Sequence, residues 1–73
     1  MPAVLRIRGF KFFFYSQEGN EPPHIHVEKG DGAAKFWLDP VKLANNGGFK
    51  KSELSAIIVM LERHEAELLR AWN

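Results

Sequence analysis

The chain has 73 residues, enough for one domain spanning 1–73 and too few for two. Its 45% hydrophobic content, with six Phe and two Trp, favours a packed core over disorder, and the absence of Cys excludes disulfide and thiolate chemistry. Net charge is +1, with residues 1–51 holding eight Lys/Arg against five Asp/Glu (+3) and residues 52–73 two against four (−2), short of the basic excess of a dedicated DNA binder.

Arg6, Arg8 and Lys11 interrupt the apolar residues between Val4 and Tyr15. No stretch reaches the ~20 apolar residues that a membrane span requires. No signal-peptide pattern opens the chain, and Cys-free packing suits a reducing compartment, so no membrane partner and a cytoplasmic location are the expectations.

Arg8-Gly9 reads as a two-residue hairpin turn. With that turn Ile7 faces Phe10 and Leu5 faces Phe12, and one apolar face collects Leu5, Ile7, Phe10, Phe12 and Phe14. The other face collects Arg6, Arg8, Lys11, Phe13 and Tyr15. Ser16 to Pro23 carries Gly19, Asn20 and a Pro pair and reads as a loop. A second hairpin turns at Gly30-Asp31, placing Val27 opposite Ala34, Ile25 opposite Phe36, His26 opposite Lys35 and His24 opposite Trp37. Pro40 ends the fourth strand. Val41 to Ala44 reads as a short further strand and Asn45-Asn46-Gly47-Gly48 as a turn. From Lys51 to Trp72 apolar residues recur at three- and four-residue spacing, which predicts one long helix with Ser52 as its N-cap.

The expected fold is α+β: an antiparallel sheet built from two β-hairpins, one face packed by a long C-terminal α-helix. The opposite sheet face then stays open. It carries Arg6, Arg8, Lys11, Phe13, Tyr15, His24, His26, Lys35 and Trp37, the candidate binding residues.

The stretch Pro22-Pro23-His24-Ile25-His26-Val27-Glu28 resembles the bacterial family called domain of unknown function 4160. Val4-Leu5-Arg6-Ile7, Phe12-Phe13-Phe14-Tyr15-Ser16, Ala34-Lys35-Phe36-Trp37-Leu38 and the Leu-rich ending at Trp72 agree with it. Lys50 stands where many similar sequences carry the Ser of a Ser-x-x-Glu helix start. The resemblance implies a toxin–antitoxin-type gene pair, with a small protein encoded by a neighbouring gene as partner. It implies no settled biochemical activity.

His24 and His26, two apart on one strand, have Cα atoms about 6.6 Å apart at ~3.3 Å per residue. Three chemistries fit that spacing. The first is a divalent metal held by the two imidazoles, with a third ligand from Glu18 or Glu21 in the loop. The second is RNA cleavage, with one His as base, the other as acid and Lys35 on the phosphate, a small toxin enzyme. The third, and the preferred one, is binding without chemistry and without an assigned cofactor: aromatic and Arg anchors suit a protein partner, and rings among cations suit nucleic acid. An ordinary open sheet face with His24 stacked on Trp37 has the same composition. On the helix, Val59 and Met60 fall outside the main apolar stripe and, buried or docked, suggest a second sticky surface.

Overall fold

In a computed structural model that describes residues 3–14 and 21–72, Arg8 and Gly9 both adopt positive φ, 52° and 85°. This is the type I′ turn whose twist matches a hairpin. It joins β1 (Ala3–Ile7) to β2 (Phe10–Phe13) with Ile7 opposite Phe10 and Leu5 opposite Phe12. β3 (His24–Lys29) and β4 (Gly32–Leu38) pair as the turn at Gly30 dictates, with His26 opposite Lys35 and His24 opposite Trp37. A final strand, β5 (Val41–Gly47), follows the Asp39-Pro40 turn.

The sheet is not a pair of separate hairpins. β2 and β3 also pair antiparallel, Phe12 opposite Val27 and Phe13 opposite His26, so the five strands form one sheet in chain order. β5 is longer than the Val41–Ala44 strand expected, running through the Asn-Asn-Gly stretch read as a turn. The pairing with Ala33 to Lys35 overrides the local turn preference, and a register shift opposite Lys35/Phe36 absorbs Ala44.

The C-terminal segment is likewise not one long helix but two, α1 (Lys51–Arg63) and α2 (Glu65–Trp72). The cause is local. The His64 Nδ1–H donates to the Met60 carbonyl at 2.9 Å, the acceptor that its own backbone N–H would use in a continuous helix. That backbone N–H turns to the Leu61 carbonyl at 3.2 Å, and the helix ends. At the other end Lys50, not Ser52, is the N-cap residue. Its backbone N–H donates to Glu53 Oε1 at 2.9 Å, the reciprocal half of a capping box, while a Lys side chain has no acceptor for the other half.

Leu5, Ile7, Phe10, Phe12, Phe14, Ile25, Val27 and Phe36 face the helices, as the alternation requires, and meet Ile57, Met60, Leu61 and Leu68 there. Phe49, in the link before α1, joins this core against Phe10, ring centroids 5.8 Å apart. Asn46 brackets it: Oδ1 accepts from Phe49 N–H and Nδ2 donates to its carbonyl, each at 3.1 Å. Gly32 makes room, since a Cβ there would stand 2.6 Å from the Phe49 ring. No helix among the described residues is long and apolar enough to cross a membrane.

Candidate functional site

The sheet face away from the helices is ordered in rows by strand pairing. One row runs Arg6, Lys11, Glu28, Ala33, Gly47; the next runs Phe13, His26, Lys35, Asn45; the third runs His24, Trp37, Lys42. The alternation therefore brings His24, His26, Lys35 and Trp37 onto one face with Arg6, Lys11 and Phe13. Arg8 is exposed in the β1–β2 turn. Tyr15 and Glu18 lie outside the described residues.

Parity is not exposure, and two residues expected to be open on this face are covered. His24 is 1% exposed. Its ring meets Trp72 of α2 at 5.0 Å between centroids, Trp37 at 5.8 Å and His26 at 5.5 Å. Trp72 also meets Phe14 at 5.6 Å, so this indole closes the end of the sheet over both a core ring and an outer-face ring. His24 Nδ1–H donates to the Pro22 carbonyl at 2.9 Å, which fixes the ring to the Pro-Pro entry of β3. Phe13 is 7% exposed, stacked on His26 at 5.7 Å with the Lys11 ammonium 5.5 Å from its ring centre.

Two cations of the face, Lys11 and Lys35, are engaged. Lys35 pairs with Glu21 and lies 4.8 Å from the Trp37 ring centre, and Lys11 stands 3.7 Å from Glu28. The Glu21 carboxylate also lies 3.7 Å from His24 Nδ1. Exposed pairs of this kind are worth about 0–1 kcal/mol each, so a ligand can displace them at small cost.

Between the rows lies a shallow groove of about 290 Å³, walled by Phe13, His26, Glu28 and Lys35 and floored by Ala33 and Gly47. The small residues at 33 and 47 create it, because larger side chains in that row would fill the space above the strands. Reading the sequence alone missed it, since it needs β5 to extend to Gly47. The signal was present in Ala33 and Gly47, small residues at outward positions of neighbouring strands.

General acid–base work needs both imidazoles at the reacting atoms, and His24 is covered by two indoles. Among the described residues no group of three or more His, Cys, Asp or Glu is placed to hold a metal ion. No curated protein and no solved structure matches the chain. A family model described as domain of unknown function (DUF4160) matches residues 9–73, which takes in four of the five strands and both helices. On that match, the chain belongs to the DUF4160 family.

Proposed function

We propose that this chain is the partner-binding component of a toxin–antitoxin-type gene pair, and that it engages a protein through the outer face of its sheet. The observation that carries the reading is the groove bounded by His26, Glu28, Lys35, Ala33 and Gly47. It offers a ring, both signs of charge and a flat floor, a combination that suits side chains of a protein. Nucleic acid is the lesser fit. Stacking needs open ring faces, and Phe13 is covered while Lys35 lies against Trp37. Lys11 and Lys35 already face carboxylates, which weakens the field a phosphate backbone would meet.

Co-expression with the product of the neighbouring gene tests this. Ala33 is exposed and contributes nothing to the core, so Ala33→Arg fills the groove without disturbing the fold. Combined with His26→Ala it is expected to abolish co-purification while leaving the circular dichroism spectrum unchanged. Intact association of the folded double variant would reject the outer face as the interface.

A further inference from the structure

A second groove, again about 290 Å³, lies on the helix side of the sheet, between the β1–β2 turn and α1. Its floor is apolar: Ile7 from β1 and Ala56, Val59 and Met60 from α1. Val59 is 47% exposed, one of the large apolar side chains left open to water. Arg8 lines it from the turn and Arg63 from the last turn of α1, with His64 beside them. Both arginines are exposed, and neither is in an ion pair among the described residues. Among the described residues no acidic side chain lines the groove.

Arg8 is also unusual in its backbone. It holds φ 52° at a turn position that Asn or Gly fills with less strain. A side chain carried at a position whose backbone disfavours it is a candidate for a functional role. Here that side chain is a guanidinium at the lip of an apolar slot.

We infer that this groove docks an acidic segment of a partner protein, an apolar side chain seated against Val59 and Met60 and flanking carboxylates held by Arg8 and Arg63. Charge complementarity selects this occupant. Two guanidiniums without carboxylate partners favour anions, and their planar forks match carboxylates bidentately. The apolar floor excludes a simple inorganic anion as the whole ligand. The surface is separate from the outer-face groove, and the inference does not depend on it.

A random-peptide library displayed on phage and selected on the whole protein tests this. Recovered peptides are expected to carry Asp or Glu beside Leu, Phe or Trp. Synthesised, they shift the methyl resonances of Val59 and Met60 in NMR. Arg8→Asn and Arg63→Gln each weaken binding about tenfold, the scale of one charge-assisted contact. Arg8→Asn relieves the turn, so its denaturant midpoint stays the same or rises, which separates lost binding from lost folding. Ala33→Arg on the outer face leaves this binding unchanged. The inference is overturned if no peptide is recovered, if acidic residues are absent from those recovered, or if Val59 and Met60 do not respond. A dimer in light scattering that Val59→Lys converts to monomer would give the groove to a second copy and equally overturn it.

Discussion

Replacing His24 by Ala tests whether the motif histidines form a functional pair or divide into one structural and one surface residue. The imidazole is 1% exposed, lies within ring contact of Trp37 and Trp72, and donates to the Pro22 carbonyl. Truncating a buried side chain to Ala costs about 2–5 kcal/mol. His24 belongs in the lower half of that range, because Pro22 is exposed and its carbonyl recovers a water when the donor is lost. An estimate of about 2–3 kcal/mol compares with a total stability of roughly 4–11 kcal/mol for a chain of this length. The melting temperature should then fall by roughly 10–20 °C, at about 4–8 °C per kcal/mol. His26→Ala, half-buried with its ring on Phe13, should cost no more than about 1 kcal/mol. Urea unfolding followed by tryptophan fluorescence measures both. His24→Asn, whose side-chain amide can reach the Pro22 carbonyl, should recover part of the loss and so separate the hydrogen bond from ring packing. Equal midpoints for the two Ala variants, or a wild-type midpoint for His24→Ala, would refute the structural assignment of His24.

Other sites give sharp expectations. Gly32→Ala puts a Cβ 2.6 Å from the buried Phe49 ring, and overpacking of that kind costs about 1–3 kcal/mol in chemical denaturation. Shortening the ring in the Gly32→Ala/Phe49→Leu double variant should return part of that loss, giving a non-additive cycle. Asn46→Ala removes both hydrogen bonds to the Phe49 backbone, about 1–2 kcal/mol in the same assay. Asn46→Asp, which keeps the acceptor for Phe49 N–H, should lose less. Glu53→Ala removes the acceptor for Lys50 N–H, costs about 0.5–1 kcal/mol, and raises amide exchange at the start of α1 and not in α2.

Strand register was legible because two turns fix it. Gly9 and Gly30 each set a two-residue loop, and strict alternation carried every pairing of the second hairpin and those of the first from Ile7–Phe10 out to Leu5–Phe12, beyond which a register shift puts Ala3 opposite Phe13. What lay beyond alternation was hidden. The second half of β5, Asn45 to Gly47, looks like a turn because Asn and Gly favour turns, yet an edge strand needs only a partner with free hydrogen-bonding groups. The helix break escaped notice because His64 sits at ordinary helical spacing and acts through one side-chain hydrogen bond. The site was legible as a face and not as a surface. Residues 24, 26, 35 and 37 share a side of the sheet as expected, but covering His24 takes Trp72, far along the chain and unrelated to strand parity. Resemblance in the Pro-Pro-His-x-His stretch led to the family, and the match over residues 9–73 bears that out.

Because spatial order of the strands equals their order in the chain, each strand leaving the ribosome meets a neighbour that has already emerged. The sheet can therefore assemble strand by strand from its N-terminal end, and its aromatic underside stays open until α1 and α2 cover it. A sheet formed ahead of its helices displays Phe10, Phe12, Ile25 and Phe36 to water or to a chaperone until α1 and α2 dock.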